Sequence, residues 1–598
     1  MSEALRHRGP DGEGIARLGE VTLIHRRLAI IDLESGDQPL FSEDRECAVV
    51  VNGEIYNHEA LRCELEQCGH RFASRSDSEV ILHGYEEYGA AIARRLNGMF
   101  AFVLWDGRRR CLVAARDPFG VKPLYWCSDG CRLALASEVG ALIAGGWVTP
   151  AVDPVALDHY LSWRFVPSPR TLFAGVSKLA PASLLVADAS GVAISSYREA
   201  PDEPFAGVAV PELATGLRVE LQRAVERQMM SDVGYGGFLS GGLDSTAIVA
   251  AMVAAGDDSV DTFTIGFPGH GDVIDERSAA AGSARQLGSR HHATAMDDTD
   301  FSGELDECVR HLEEPCGTPS APALMQLSRF TAREVKVVLS GQGADEPLGG
   351  YQRHQAAAAL GIVDALPGAL GAPLRALAGA LPRNERAKRA AGLVGGAPGI
   401  DRMLRIFDIT GPETRRRLLG ELSAEGAQER RALARAVTAE VAGGSVLEQV
   451  LYLDTHLFLP DGLLIYGDKM SMAFGLEQRV PFLDVDLMRF VERIPGNLRV
   501  HNLHRKWIYR RAMGGFVPAG ALSRRKHPFA TPYDAWLRRS LGAEIERAYA
   551  QGAGLAELVD ATEVRRLVAE HRSGQADHKR ILYCLLELSC WHRAFIAP

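Results

Sequence analysis

A short turn between an apolar segment and a helical one is the feature that most limits the fold of this chain. The segment that starts at Gly237 reads GFLSGGLDST, and its apolar part ends at Leu239. A Ser-Gly-Gly turn follows, and the sequence predicts a helix over Asp244–Val253 directly after it. Glycines let backbone N–H groups approach an anion closely, and a helix N-terminus adds partial positive charge. The segment therefore predicts a strand–turn–helix unit with an anion-binding turn.

The hydroxyl groups of Ser240, Ser245 and Thr246 can complete this turn. The chain contains no G-x-x-x-x-G-K-S/T segment, so the turn is not a P-loop that transfers a γ-phosphate. A strand–helix turn with a capping Asp, which needs no ligand, is the alternative interpretation. The full SGGLDS segment after an apolar strand favours phosphate binding over that alternative.

The residues around the turn predict alternating strands and helices. Leucines and other apolar residues recur every four positions between Leu213 and Met229, which predicts a helix. We expect short helices between about Ala356 and Gly399 and a helical pattern from Val446 to the end. Strand-like runs, each followed by a helical stretch, occur at Tyr235–Leu239, Thr262–Phe267 and Val335–Leu339. This alternation predicts a parallel sheet that is covered by helices on both faces.

Up to about residue 195 the chain has short β-rich runs separated by turn residues, a pattern typical of stacked antiparallel sheets. Amphipathic helices are predicted near His58–Cys68 and Glu79–Leu96, which favours an α+β fold of two sheets with helices outside. The strands are predicted at Cys47–Val51, Met99–Trp105, Cys111–Ala114, Pro123–Trp126 and Arg132–Ala136. Because 199–212 is rich in Pro and acid, we predict an α/β multidomain protein with domains at 1–195 and 213–598 and a linker at 196–212.

Composition excludes several classes of protein. With 598 residues the chain is too long for one core, and 46% hydrophobic and 24% charged residues are typical of a globular protein. The net charge of −10 gives no basic surface for nucleic acid, and no apolar run reaches the ~18 residues of a membrane span. None of the ten cysteines forms a C-x-x-C pair. We expect buried thiols and a cytoplasmic location rather than a disulfide framework.

A second loop, VVLSGQGADEPLGGY at 337–351, again ends a strand in Ser-Gly. It then offers the adjacent carboxylates Asp345 and Glu346. Carboxylates beside a phosphate loop suit Mg²⁺, which takes one or two of them together with waters and phosphate oxygens. The alternative is an acidic helix N-terminus that is favoured by the helix dipole.

Together these segments resemble the glutamine-dependent asparagine synthetases over nearly the whole chain. The shared motifs are SGGLDS at 240–245, TFTIGF at 262–267, SGQGADE at 340–346, LPDGLLIYGDKMSMA at 459–473, LEQRVPFLD at 476–484 and RRKHPF at 524–529. The resemblance implies a class II glutamine amidotransferase domain of the N-terminal-nucleophile hydrolase type. A parallel-sheet ATP pyrophosphatase domain with a helical C-terminal part would follow it.

The resemblance also implies roles for residues of the second domain. Leu239 and Ile265 would flank adenine, and Gly266 would allow its close approach. Ser340 and Gly341 would contact the nucleotide near its reacting phosphate. Lys526 would face the leaving pyrophosphate, and Lys506 is a weaker candidate for the same task. The pyrophosphate group would bind at Ser240, Gly241, Gly242, Asp244 and Ser245, with Mg²⁺ on Asp244 and Asp345.

One position departs from the family pattern. Many asparagine synthetases have Glu where this chain has Gln342, and that carboxylate is thought to assist adenylation or to accept a proton from ammonia. A Gln orients by hydrogen bonds but cannot act as a base. Gln342 therefore leaves the identity of the acceptor carboxylate more open than the reaction class.

The first domain has the residues of a glutamine pocket. By resemblance, Arg27 would pair with the substrate carboxylate, and Asn52 and Gly53 would form the oxyanion hole. Glu54 and Asp77 would hold the substrate α-amino group. Singly these residues have ordinary interpretations, such as a solvated arginine or an Asn-Gly hairpin turn.

The family nucleophile is a cysteine that follows the initiator Met, and its α-amino group acts as the base. In the family the RHRGPD loop lies some tens of residues into the chain, whereas here it spans 6–11. We therefore expect that the first strand and its cysteine are missing. A start assigned downstream of the natural one is our preferred explanation, because a lost inner strand would expose a sheet edge. A glutaminase domain that no longer works, with free ammonia as the nitrogen source, is the alternative.

The predicted function is ATP- and Mg²⁺-dependent conversion of aspartate to asparagine through β-aspartyl-AMP. Nitrogen would come from glutamine in a complete chain and from ammonia in this one, with homodimerisation as a family expectation. A ligase that adenylates another carboxylate, as in β-lactam synthetase-like or peptide-cyclising enzymes, is one alternative. A non-catalytic paralogue that binds ATP is another.

Overall fold

The computed structural model describes residues 1–256, 260–271, 274–364, 399–524, 531–550 and 554–597. Lys526 and most of the short helices predicted between Ala356 and Gly399 lie outside these residues. No helix among the described residues is both long and apolar enough to cross a membrane.

Strands occupy the N-terminal third of the chain and the centre of the second half. They are β1 Gly12–Leu18, β2 Val21–Arg27, β3 Leu40–Phe41, β4 Cys47–Ile55, β5 Gly98–Asp106, β6 Cys111–Arg116, β7 Tyr125–Ser128, β8 Leu133–Ala136, β9 Ser177–Lys178, β10 Ser183–Asp188, β11 Gly191–Ser196, β12 Tyr235–Phe238, β13 Asp261–Gly266, β14 Arg290–Ala295, β15 Val337–Leu339 and β16 Glu477–Arg479.

Helices cover the sheets and make up most of the C-terminal part. The α-helices are His58–Gln67, Glu79–Tyr88, Val139–Ala144, Pro154–Trp163, Val210–Gln228, Leu243–Ala254, Arg277–Leu287, Asp298–Leu312, Ala321–Thr331, Asp345–Leu348, Gln352–Asp364, Ile400–Phe407, Pro412–Leu419, Leu422–Thr438, Val446–Leu453, Ile465–Met472, Val485–Glu492, Gly496–Arg499, Trp507–Ala512, Ala519–Ser523, Tyr533–Trp536, Gly542–Ala548, Ala561–Ser573 and Lys579–Phe595. The 3₁₀ segments are Glu3–Leu5, Gly89–Arg94, Ala439–Val441, Pro481–Leu483 and Gly554–Glu557, and the π-helical segments are Asp454–Phe458, Pro460–Leu464 and Leu537–Leu541.

The N-terminal region is the expected arrangement of antiparallel sheets with helices outside. A six-stranded sheet has the order β11-β10-β6-β5-β4-β3, and a three-stranded sheet has the order β8-β7-β9. The β1–β2 hairpin forms a separate pair, in which Gly12 faces Arg27. The apolar runs form these strands because alternate side chains enter the space between the sheets.

The second half is built on a parallel sheet with the order β14-β13-β12-β15-β16. From β12 the chain adds strands on one side, and from β15 it adds strands on the other side. The strand order therefore reverses between β12 and β15, and ligands of open parallel sheets bind at such a point, beyond the carboxyl ends of the strands. The two Ser-Gly loops leave these two strands, so the fold brings them together.

One strand of this sheet was not predicted. We expected a helical pattern from Val446 to the end, but β16 pairs in parallel with β15, and Val337 faces Glu477 there. Its three residues, Glu477, Gln478 and Arg479, are all buried polar side chains. Neither apolar alternation nor β-branched residues mark them as a strand, which explains why the sequence did not predict β16, although the described residues around it are mostly helical as expected.

The expectation of buried thiols is only partly correct. The ten cysteines are all free, and seven of them are buried. Cys63, Cys68 and Cys131 are exposed instead. Cys63 and Cys68 lie on and after the outer helix His58–Gln67, where the amphipathic pattern places them toward water.

Candidate active site

A cavity of about 540 Å³ lies where the strand order reverses, and we call it the switch-point cavity. It brings together most of the residues that the sequence predicted for the nucleotide. The predicted residues on its wall are Leu239, Ser240, Gly242, Asp244, Ser245, Ile265, Ser340, Gly341, Gln342, Asp345 and Lys506. Gly241 and Gly266 do not line it, and Lys526 lies outside the described residues.

The first loop presents an uncapped helix N-terminus to the switch-point cavity. Gly242 is the N-cap residue of helix Leu243–Ala254, and no side chain caps that end. The hydroxyls of Ser240 and Ser245 are 3.0 Å apart, and the backbone N–H of Ser240 donates to Ser245 Oγ at 3.1 Å. The loop is therefore held by its own serines, and the first N–H groups of the helix suit an anion.

The second loop packs directly on the first. A Cβ atom at Gly341 would lie 2.7 Å from the backbone nitrogen of Ser245, so a side chain there would separate the loops. The backbone N–H of Ser340 donates to the carbonyl of Arg479 at 2.9 Å, which extends the β15–β16 pairing beyond the strand end. Neighbouring strands thus fix both loops in one geometry.

Lys506 joins the carboxylates of the two loops. Its Nζ is 2.7 Å from Asp244 Oδ1 and 2.7 Å from Asp345 Oδ1, and the lysine is only 3% exposed. Gly350 makes room for the pair, because a Cβ atom there would lie 1.8 Å from Asp345 Oδ1. The structure thus places a buried ammonium group beside the anion-binding helix N-terminus.

The chemistry of these donors fits Mg²⁺. Two carboxylates from different loops lie on one wall of the switch-point cavity, next to the helix N-terminus that suits a phosphate group. Lys506 already balances part of their charge at 2.7 Å. A divalent ion that keeps waters and takes phosphate oxygens as further ligands matches this carboxylate pair better than a cation held by protein alone.

Gln342 is held at both ends of its amide group. Its Nε2 donates to the carbonyl of Leu463 at 2.8 Å, and its Oε1 accepts a hydrogen bond from Gln478 Nε2 at 2.6 Å. Leu463 belongs to the π-helical segment Pro460–Leu464, and such segments often occur at functional sites. The sequence reasoning missed Gln478, although it lies in the quoted LEQRVPFLD motif.

A buried carboxyl group lies next to the metal-side carboxylates. Glu346 is 1% exposed and accepts a hydrogen bond from the hydroxyl of Tyr351 at 2.6 Å. Burial, reinforced by the charge of Asp345, raises the pKa of Glu346 to about 7. Both Glu346 and Tyr351 line the switch-point cavity. The cavity therefore contains a carboxyl group that titrates near neutral pH.

Two glycines of the predicted nucleotide site have other contacts. Gly241 adopts φ +71°, and a Cβ atom there would lie 2.6 Å from the backbone of Ala279. At Gly266 a Cβ atom would lie 2.0 Å from Asp275 Oδ1. Close packing within the protein accounts for both glycines, and the approach of adenine to Gly266 stays a prediction.

A second cavity, of about 1230 Å³, lies between the sheets of the N-terminal region, and we call it the inter-sheet cavity. The five residues predicted for the glutamine pocket all line it, namely Arg27, Asn52, Gly53, Glu54 and Asp77. Gly53 adopts φ +144°, and a Cβ atom there would lie 1.9 Å from the carbonyl oxygen of Met99. Glycine is thus required at this position of β4.

Arg27 already has polar partners within the protein. Its NH1 is 2.8 Å from Asp37 Oδ1, and its NH2 donates to the carbonyls of Ile31 and Asp32. Asp37 is exposed, with 83% of its side chain accessible, so this ion pair is weak. A substrate carboxylate can therefore compete for the guanidinium group.

Glu54 and Asp77 are buried acids close to one another. Burial is the main reason that the pKa of Glu54 is well above its usual value, and the charge of Asp77 adds to it. Burial likewise raises the pKa of Asp77, while the backbone N–H of Ile55, which donates to Asp77 at 2.7 Å, opposes this rise. A bound ammonium group would stabilise both carboxylates in their charged form.

Strand β16 forms part of the wall between the two cavities. Glu477 lines the inter-sheet cavity, whereas the next residue, Gln478, lines the switch-point cavity. Arg479 then places its NH2 3.5 Å from Glu54 Oε1, and its backbone carbonyl accepts the hydrogen bond from Ser340. One short strand therefore contacts both predicted sites.

Two stretches of the chain match known protein families. Residues 216–593 match the asparagine synthase family, and residues 1–198 match the glutamine amidotransferase domain. Glutamine-hydrolyzing asparagine synthetase 1 of Bacillus subtilis (strain 168) is 33% identical over 593 residues, which cover 99% of this chain and 92% of that protein. A putative glutamine-hydrolyzing asparagine synthetase of Mycobacterium bovis is 36% identical over 631 residues, with 100% and 93% coverage.

A solved structure of glutamine phosphoribosylpyrophosphate amidotransferase from B. subtilis, complexed with ADP and GMP, aligns with 49% of this chain and 61% of its own. Its TM-score of 0.25 and identity of 18% are too low to support any conclusion. The sequence relationships are decisive, because the asparagine synthase match covers more than half of the 598 residues and the B. subtilis relative is similar over nearly the full chain. The chain therefore belongs to the asparagine synthase family of ligases.

Proposed function

We propose that this protein uses ATP to convert aspartate to asparagine through β-aspartyl-AMP, with release of AMP and pyrophosphate. The observation that carries the proposal is the meeting of both Ser-Gly loops and Lys506 in the switch-point cavity. The names of the relatives, glutamine-hydrolyzing asparagine synthetases, support asparagine as the product.

The residues of the switch-point cavity have roles in the adenylation step. The aspartate β-carboxylate attacks the α-phosphorus of ATP, and negative charge develops on the leaving pyrophosphate. Backbone N–H groups at the start of helix Leu243–Ala254 would bind the pyrophosphate. Lys506, held by Asp244 and Asp345, would stabilise the charge that develops on it. Mg²⁺ on the same carboxylates would neutralise phosphate charge.

Gln342 would have a positioning role. Its amide nitrogen and oxygen both have partners, Leu463 and Gln478, and an amide cannot accept the proton of attacking ammonia. The carboxyl group of Glu346 is the nearby acid that titrates close to neutral pH. It is therefore our candidate for the group that takes up this proton.

Nitrogen would come from glutamine bound in the inter-sheet cavity or from free ammonia. Arg27 would bind the glutamine carboxylate there, and Glu54 and Asp77 would bind its α-ammonium group. Asn52 and Gly53 would donate hydrogen bonds to the oxyanion. The domain division at 195 and 213, homodimerisation and a cytoplasmic location stay predictions.

A ligase that adenylates a different carboxylate is the second candidate. Gln342 favours it, because this residue replaces the carboxylate of many asparagine synthetases. A profile of acceptor carboxylates would separate the two candidates. ATP binding without any pyrophosphate release would instead indicate a non-catalytic paralogue.

Pyrophosphate release by the purified chain tests the proposal. The reaction contains ATP and Mg²⁺, with either ammonium or glutamine, and is run with and without aspartate. We expect release that requires aspartate and yields equal amounts of AMP and asparagine. Release that is independent of aspartate, or that requires another carboxylate, would refute asparagine as the product.

A further inference from the structure

An arginine that has no role in the reaction described above, Arg164, lines the switch-point cavity. It lies at the end of helix Pro154–Trp163, in the N-terminal half of the chain. Its guanidinium group has no ion pair or hydrogen bond with any described residue. By contrast, Lys506 and Arg353 on the same wall are paired with carboxylates, and Arg353 Nε is 2.6 Å from Asp454. A cationic group without a counter-charge is thus available for an anion.

The backbone of Arg164 is held rigidly. It adopts the left-handed conformation, with φ 75° and ψ 0°, and its N–H donates to the carbonyl of Tyr160 at 2.7 Å. Its neighbours Trp163 and Phe165 are 2% and 4% exposed, which anchors the chain on both sides. Left-handed positions at helix ends usually have Gly, since any side chain is strained there. Arg164 takes this conformation at the cost of that strain, and it lines the switch-point cavity.

The surroundings of Arg164 form one cationic part of the switch-point cavity. Arg580, at the start of helix Lys579–Phe595, and Tyr533 also line the cavity. Both arginines act electrostatically on the Tyr533 hydroxyl, so the three side chains lie near one another. The loop after Glu313 closes this part, because a Cβ atom at Gly317 would lie 2.6 Å from Arg164 Cβ. Two guanidinium groups and a hydroxyl group near one another have the chemistry that a carboxylate requires.

We propose that Arg164 binds the α-carboxylate of the amino-acid acceptor and so selects an amino dicarboxylic acid over a simple carboxylic acid. This inference rests on the proposed function. The guanidinium group would donate hydrogen bonds to the α-carboxylate, while the β-carboxylate reacts with ATP. Because the α-carboxylate does not react, this contact contributes equally to the ground state and the transition state. Arg164 is therefore a specificity-determining residue.

The variant Arg164→Gly tests the inference without harming the fold, because Gly accepts the left-handed conformation without strain. We expect its KM for aspartate to rise about 100-fold, whereas kcat at saturating aspartate and the KM for ATP change little. Arg164→Lys keeps the charge and should recover part of the affinity. The melting temperatures of Arg164→Lys and Arg164→Gly should match the wild-type value or exceed it. Arg94→Met, which removes an exposed charge far from the cavity, should leave all constants unchanged.

A second acceptor provides a matched control. The acid 3-aminopropanoate has the reacting carboxylate and the amino group of aspartate but lacks the α-carboxylate. Arg164→Gly should leave its KM unchanged, so that the preference for aspartate disappears. An unchanged KM for aspartate, or an equal rise in the KM for ATP, would overturn the inference. Wild-type pyrophosphate release that does not respond to aspartate would instead refute the proposed function itself, and the two failures are thus distinguished.

Discussion

Lys506 in the switch-point cavity and Glu54 in the inter-sheet cavity are both buried, but their charges are balanced to different degrees. Lys506 contacts two carboxylates at 2.7 Å. Glu54 Oε2 has no hydrogen-bond partner among the described residues, and the neighbouring Asp77 carries charge of the same sign. In the proposed function the first cavity would thus have its charges in place for an anionic nucleotide, whereas the second would be completed by a cationic ligand. We propose that the two halves of the reaction differ in this way.

The largest expected effect follows from removing the central cation of the switch-point cavity. Lys506→Met should lower kcat for aspartate-dependent pyrophosphate release by about 1000-fold, because the leaving pyrophosphate loses its cationic partner. It should also destabilise the fold, since Asp244 and Asp345 remain buried without their ammonium. Lys579→Met, on the surface of the last helix, is the control. A Lys506→Met enzyme with wild-type kcat would show that the paired charges do not serve catalysis.

Removing the charge of the buried acid Glu54 should stabilise the protein, whereas removing Lys506 should destabilise it. Glu54→Gln should weaken glutamine binding about 100-fold, because the substrate ammonium loses a carboxylate partner. The raised pKa of Glu54 means that its ionisation costs stability at neutral pH, so the variant should have a higher free energy of unfolding at pH 7. Calorimetry and denaturant unfolding measure the two quantities.

Glu34→Gln, which replaces an exposed acid that lines neither cavity, is the matched control for Glu54→Gln. It should change neither glutamine binding nor stability. A Glu54→Gln protein that binds glutamine as tightly as the wild type would contradict the assignment of the inter-sheet cavity.

Replacing Gln342 with Glu, the residue of many asparagine synthetases, tests whether the hydrogen bonds of its amide group support stability and activity. Gln342→Glu exchanges a donor to the Leu463 carbonyl for a carboxylate oxygen, which repels that carbonyl. We expect about 1–3 kcal/mol lower stability and roughly tenfold lower kcat at neutral pH. Thermal unfolding and pyrophosphate release measure these changes. Higher activity in the variant would show that the amide is a defect rather than part of a hydrogen-bonded pair.

The smallest expected effect is a change in pH dependence. The pKa of Glu346 is raised from 4.5 to about 7, so between these values the folded protein holds a proton that the unfolded chain has released. Stability should therefore fall with rising pH in this window, by at most about 1.4 kcal/mol per pH unit from this group. Glu346→Gln should remove that contribution. Denaturant unfolding at pH 5 and 7 compares the slopes, and equal slopes would refute the assigned burial.

Local patterns predicted the parts of the site that lie on strand–turn–helix units. The Ser240 and Ser340 loops follow apolar strands, and parallel pairing of β12 with β15 brings them together. Contacts between residues that are distant in the sequence were harder to predict. Lys506, the weaker candidate from the sequence, lies between two carboxylates from distant segments, whereas Lys526 lies outside the described residues and stays a prediction. No local signal at Arg164 indicates the left-handed backbone or its place in the cavity.

The polar strand β16 shows a second limit of the sequence. Glu477, Gln478 and Arg479 are buried because each has a partner from a distant segment, such as Gln342 for Gln478. Burial of polar residues depends on such partners, which periodicity cannot reveal. Neither the residues nor the family resemblance therefore predicted the wall between the two cavities.

Oxygen transfer from aspartate to AMP tests the adenylation claim most directly. Aspartate that carries ¹⁸O in its β-carboxylate is incubated with the protein, ATP, Mg²⁺ and ammonium, and the products are analysed by mass spectrometry. Attack of the β-carboxylate on the α-phosphorus predicts one ¹⁸O atom in each AMP and one in the amide of asparagine. AMP without ¹⁸O, or label in inorganic phosphate together with ADP, would contradict the account.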